Sequence, residues 1–215
     1  MRAPMMNGWP RSRLMTMRRT YWLAVVLGLA LCSGSAAIAA DSGWRALIHP
    51  EHLSRVEDPK ARALAVLDQI GAQEYGYDEV KMVRELLAAE TMVRPAERLL
   101  ADWRCRSIQV NRLGIFSYPN FRCRIKRVEG EWDFRKLSGS QKRSGSLYPD
   151  QPGRWVFLGG QYVNDDPPRA YSGIDDQAQS DAYDTVGELE TLADGRLRML
   201  LDSDEDSFEL YVLER

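Results

Sequence analysis

The sequence is poor in the residues that carry most protein chemistry. Of 215 residues, three are cysteine and two histidine. It has no Cys-x-x-Cys pair, no G-x-S-x-G elbow and no glycine-rich phosphate loop, so it lacks the signatures of thiol redox enzymes, α/β-hydrolases and P-loop proteins. His49 and His52 have no third ligand in view, which excludes a recognisable metal site. We read them as a solvated helix start. Long apolar runs are missing too: the longest, Tyr21 to Leu31, has 11 residues, and a spanning helix needs about 20.

That short run has another reading. Arg18 and Arg19 precede it and Ala37-Ile38-Ala39 follows, the layout of a secretion signal cleaved near Ala39 or Ala40. Residues 1–40 are expected to leave, and the mature chain to be periplasmic or secreted rather than transmembrane. Arg18-Arg19-Thr20-Tyr21 as a twin-arginine signal and Leu29-Ala30-Leu31-Cys32 as a lipoprotein box are weaker matches, the latter because bulky Leu31 stands where a small residue belongs. Removal of five arginines and no acid leaves 24 basic and 31 acidic residues, a net charge of −7. Nucleic acid is then an improbable partner, since its binders are net basic. Of the cysteines only Cys105 and Cys123 survive, and in an oxidising compartment they are expected to pair.

The mature chain divides by periodicity. In 41–100 the pattern is helical. Asp58-Pro59 is an N-cap followed by proline, and Ala63, Leu64, Val66, Leu67 and Ile70 recur behind it. A second helix starts near Asp78 and carries Val80, Met82, Val83, Leu86 and Leu87. Pro50 to Val56 makes a shorter turn. In 101–215 the period falls to two, with strands expected at about 103–110, 121–128, 131–137, 139–148, 154–163, 183–192, 195–202 and 207–213. The turns between them are mostly tight, which makes neighbours antiparallel. Eight such strands close most economically into a lipocalin-like meander barrel, with no free edge. Trp155-Val156-Phe157-Leu158 is apolar on both faces, so the helices are expected to cover that strand from outside. The fold class is therefore α+β, helices packed on an eight-stranded antiparallel barrel.

If Cys105 lies directly opposite Cys123, Arg104 faces Arg124 and Arg106 faces Arg122 on the outer side. Like charges placed so are destabilising. Either the acidic C-terminal strands neutralise them, through Glu209, Glu214 and Asp202 to Asp206, or Arg104, Arg106, Arg122 and Arg124 form a surface for an anionic partner. The Ser138 to Ser146 run, with Gly139 and Gly145, reads as a bend or pocket wall rather than a nucleophile motif. Ser138, Ser140, Ser144, Trp155 and Phe157 are the candidate ligand residues inside the barrel. A serine hydrolase would need His49 or His52 beside one of these serines. Asp202 to Asp206 fails as a calcium loop, because Ser207 and Leu213 stand where Gly and Glu belong. The loop from Asn164 to Ser180 is long enough to be functional.

Trp103-Arg104-Cys105-Arg106, Tyr118-Pro119-Asn120-Phe121-Arg122-Cys123-Arg124, Lys136-Leu137-Ser138-Gly139-Ser140-Gln141, Tyr148-Pro149-Asp150 and Val156-Phe157-Leu158-Gly159 form an ordered series. In these motifs the chain resembles a bacterial family catalogued as domain of unknown function 4893. The resemblance implies an exported protein with no assigned activity and no catalytic residues to carry over. The sequence thus points to a non-enzymatic barrel without cofactor or metal. Its expected partner is a small amphipathic molecule, an envelope component or an acidic protein.

Overall fold

A computed structural model describes residues 43–71, 77–174 and 179–215. The expected export segment lies outside the described residues. Three helices, α1 (Pro50–Glu57), α2 (Pro59–Gly71) and α3 (Tyr77–Ala88), precede eight strands: β1 (Ala101–Asn111), β2 (Gly114–Val128), β3 (Glu131–Lys136), β4 (Gln141–Pro149), β5 (Arg154–Val163), β6 (Asp184–Thr191), β7 (Leu197–Asp204) and β8 (Ser207–Glu214). The strands pair antiparallel in chain order, and β8 returns to β1, closing the barrel. The expected α+β meander is the observed fold. No helix among the described residues is long and apolar enough to cross a membrane.

The helices form where local chemistry starts them and stay because the barrel covers their apolar stripes. Asp58 Oδ1 accepts the Ala61 N–H at 3.1 Å, capping α2. Ala63, Val66, Leu67 and Ile70 then pack with Val83 and Leu87 of α3 against Ile108, Val110, Leu200, Leu210 and Val212 on the outer wall. Leu64 falls off this stripe and is exposed. The double-faced strand β5 is covered as its sequence requires, with Val156 and Leu158 under Trp44, Ile48 and Val56. Buried ion pairs pin these layers together. Arg198 of β7 donates to the Leu86 and Leu87 carbonyls at the end of α3 and pairs with Glu190. Arg62 meets Asp202 at 2.6 Å, and Arg154 meets Glu188 at 2.8 Å.

Alternation decides what faces inward. Trp103, Ile125, Trp132, Leu147, Leu189, Leu197 and Leu213 fill the lower half, toward the β2–β3, β4–β5 and β6–β7 turns. The 3-10 turn Ala96–Leu99 caps that end, and Leu99 accepts the Trp103 Nε1–H at 3.0 Å. Phe134, Phe157 and Tyr211 stack across the middle. Gly145 and Gly159 sit back to back where β4 and β5 approach, and a Cβ on either would overlap the other strand's backbone. They mark the bend expected of the glycine run.

The cysteines do bond, with Cα atoms 5.9 Å apart, but they are not directly opposite. Cys105 faces Phe121 and Trp103 faces Cys123, so the bridge runs diagonally. Beyond it the register shifts between Cys105 and Ser107, and the surplus residue lies in β2, around Pro119 and Asn120. A bulge is a place where a strand accommodates proline. That is why β2 runs on through Pro119, where a turn was expected.

Candidate functional site

The five residues expected to line an interior pocket do not converge. Phe157 is edge-on to Phe134 at 5.8 Å and Trp155 lies against Trp132 at 4.9 Å, so both fill the barrel rather than line a hollow. Ser144 points outward, because the inward position belongs to Gly145, and its hydroxyl donates to the Arg169 carbonyl at 2.7 Å. Ser138 sits in the β3–β4 turn and accepts the Arg122 N–H at 2.8 Å. Ser140 alone reaches a cavity, the shallow upper mouth of the barrel.

The diagonal disulfide also redistributes the arginines. Arg104 faces Arg122, while Arg124 faces Asp102 and pairs with it. That contact holds the Asp102 carboxyl below its usual range. Barrel closure brings Glu214 opposite Arg104, 3.2 Å from its guanidinium. Arg106 donates to the Ser117 hydroxyl at 2.7 Å. Two of the four are thus neutralised by the protein's own acids, but of the C-terminal acids expected to do so only Glu214 takes part, and Arg124 uses Asp102 of β1 instead. Glu209 is not among those acids, for it points into the barrel, and Asp202 serves Arg62 on the helical side.

A denser basic cluster lies at the lower end, and no periodic signal in the sequence points to it. A cleft of about 660 Å³ is lined by Arg94, Arg98, Arg196 and Arg215, with Pro95, Leu99, Trp103 and Leu197 as its apolar wall. Its two carboxylates are engaged: Asp194 with Arg196 at 2.7 Å, Glu214 with Arg104. Arg94 and Arg98 make no ion pair among the described residues. Gly195 has φ +91° in the β6–β7 turn, and a Cβ there would press on the Arg94 guanidinium at 3.1 Å. The turn therefore needs glycine both for its backbone and to let Arg94 lie across it. Arg94 and Arg98 meet Arg196 and Arg215 here only because the meander places its lower turns beside both ends of the barrel.

The histidines are buried, which corrects their reading as a solvated helix start. His49 Nε2 lies 2.8 Å from the Ser172 hydroxyl, which donates to Asp184 Oδ2 at 2.6 Å. The Tyr171 oxygen accepts the His49 N–H at 3.0 Å and donates to His52 Nδ1 at 2.8 Å. Burial pushes the Tyr171 phenol up to about 12 and the His52 imidazole down. A histidine therefore does meet a serine, but one from the long loop, not from the glycine–serine run. The Ser172 proton is committed to Asp184, so His49 acts as a donor to it and the arrangement clasps the loop to α1. It is not a nucleophile with its base. No group of three or more His, Cys, Asp or Glu among the described residues is placed to hold a metal.

No curated protein and no solved structure matches the chain. The model of one family, described as a domain of unknown function and designated DUF4893, does match, across residues 44–214. The match spans the helices and all eight strands, and the chain belongs to the DUF4893 family.

Proposed function

We propose that this protein is an exported, non-enzymatic barrel that binds an amphipathic anion of the cell envelope in its lower cleft. The observation that carries the reading is the pairing of two guanidiniums that make no ion pair among the described residues, Arg94 and Arg98, with an apolar wall of Pro95, Leu99, Trp103 and Leu197. A cleft of about 660 Å³ is in the range of small-molecule sites. Guanidinium is the side chain best matched to carboxylate and phosphate oxygens. Export is supported by the arginine-flanked apolar run before Ala39 and by the Cys105–Cys123 disulfide, a bond that persists in oxidising compartments.

The test is binding of a short-chain anionic phospholipid below its micellar threshold, against its zwitterionic counterpart. The anionic lipid binds, and Arg94→Ala with Arg98→Ala weakens it at least tenfold. Equal binding of both lipids, or no effect of the double substitution, overturns the reading. The N-terminal mass of the protein recovered from an envelope extract tests export, with cleavage near Ala39 or Ala40 expected. A second reading, a protein-interaction surface, rests on Arg122, which faces Arg104 and makes no ion pair among the described residues. Charge reversal at Arg106 and Arg122 separates it from the cleft.

A further inference from the structure

The barrel interior holds two cations against one carboxylate. Lys136 of β3, Arg143 of β4 and Glu209 of β8 face inward in the upper half and are 2%, 5% and 3% exposed. Glu209 is shared: one oxygen accepts the Ser107 hydroxyl at 2.6 Å, and the other lies 3.1 Å from Arg143 Nη2 without hydrogen-bonding to it. Lys136 is left with a single polar partner, the Gln141 carbonyl oxygen at 2.6 Å. Its remaining neighbours are the rings of Phe121 at 4.1 Å and Tyr211 at 5.6 Å. An ammonium has three protons to donate, and among the described residues Lys136 meets one hydrogen-bond acceptor.

Burying an ammonium is costly, and the one carboxylate that attracts it, Glu209, is shared with Arg143. Rings offset part of that cost by cation–π attraction. Loss of the proton would remove the charge, and burial does lower the Lys136 pKa, to about 8. At neutral pH the amine is still mostly protonated. Something else has to complete the site.

The space for it is adjacent. A pocket of about 170 Å³ opens at the upper mouth, with Lys136 in its wall and Ser107, Gln109, Tyr118, Phe121, Ser140 and Gln141 around it. It holds one cation, two aromatic faces and neutral polar groups. Arg143 lies behind, tied to Glu209, so a dianion would find only one charge to meet. A phosphate-binding site calls for several donors converging on it. A carboxylate on a small apolar or aromatic body needs only the one ammonium.

We propose that the upper mouth is a binding site for a small organic monocarboxylate, its oxygens on Lys136 Nζ and its apolar part against Phe121 and Tyr118. It is distinct from the lower cleft, which lies at the opposite end of the barrel and takes its charge from arginines.

Benzoate is the probe, titrated into the full processed chain and followed by calorimetry and amide chemical shifts. The charged groups facing Lys136 are Glu209 from β8 and Arg143 from β4, with the Tyr211 hydroxyl beside Glu209. Benzoate affinity is expected to be flat below pH 8 and to fall about tenfold per pH unit above it, as the ammonium is lost. Lys136→Met lowers the affinity read from the Phe121 shifts at least tenfold, while Lys81→Ala on the exposed side of α3 leaves it unchanged. Tyr118→Ala keeps the buried lysine and gives a partial loss, a check that survives if the methionine variant misfolds. The proposal is overturned if benzoate does not bind in the millimolar range, if benzyl alcohol binds equally well, or if the shifts appear around Arg98 instead of Phe121.

Discussion

Arg198 and Glu190 meet between the barrel wall and α3, with the arginine side chain wholly buried and the carboxylate nearly so. They are cross-strand partners on β7 and β6. Arg198 also satisfies two carbonyls at the end of α3, so a single side chain fastens helix to sheet. Glu190 also accepts from Lys60 of α2 at 2.9 Å. These donors hold its carboxyl below the usual range, although burial alone would raise it. Arg198→Ala leaves a buried carboxylate and two helix carbonyls short of donors, and is expected to cost about 3 kcal/mol by urea unfolding. Replacing the pair with Arg198→Met and Glu190→Gln should recover part of that loss. A double variant as unstable as the single one would show that the carbonyl contacts, not the charge pair, dominate.

Gly159 tests the barrel's closest strand approach. A methyl there collides with Phe157 and with the backbone of β4. Neither neighbour can yield, since Phe157 is core and the other atoms are main chain. Gly159→Ala should cost about 3 kcal/mol, the upper part of the range for overpacking. Gly43, with nothing near a would-be Cβ, is the control: Gly43→Ala should be within about 0.5 kcal/mol of the parent, as surface changes generally are.

Tyr171 is the pin of the long loop. Its hydroxyl is the one atom that touches both His49 and His52. Tyr171→Phe leaves the His49 N–H and His52 Nδ1 without that partner, a loss of about 1 kcal/mol. The more sensitive readout is local. Proteolysis within 164–180 should speed up while the global melting temperature moves by only a few degrees, and unchanged cleavage would mean that Ser172 and Asp184 hold the loop alone.

Lys136 sets a pH dependence of stability. Its folded pKa, about 8, lies below the ordinary 10.5, so between those values the unfolded chain binds more protons than the folded one. Stability from this group must therefore rise with pH across that window and stay constant below it. Subtracting the urea profile of Lys136→Met from that of the parent isolates the effect. A difference profile that is flat from pH 8 to 10.5 would mean that the ammonium is solvated after all.

Strand order and closure were readable because alternation and turn residues are local signals, and Trp155 to Leu158 of β5 are apolar on both faces. The helical cover followed from the same strand. Register was not readable. Cys105 and Cys123 can bond directly across or diagonally, and the choice depends on a bulge at Pro119–Asn120 that no periodicity announces. The error moved Arg124 from an arginine to Asp102. The lower cleft was hidden for a different reason: Arg94, Arg98, Arg196 and Arg215 belong to connections and chain ends, where residues carry no phase and only three-dimensional closure makes them neighbours. The histidine clasp likewise joins α1 to a loop more than 100 residues away.

The bulge and the diagonal disulfide together divide the β1–β2 ribbon into two zones with different freedom to change. Below the bridge, covalent linkage fixes which side chains look inward. Above it, one surplus residue determines that Tyr118 rather than Pro119 is the side chain opposite Ser107. Deleting Asn120 would remove that surplus and leave Tyr118 opposite Ser107 and Cys123 in its phase. The extra residue thus lets the hairpin turn above and the disulfide below each keep its own register, so the mouth and the packed floor answer to separate constraints.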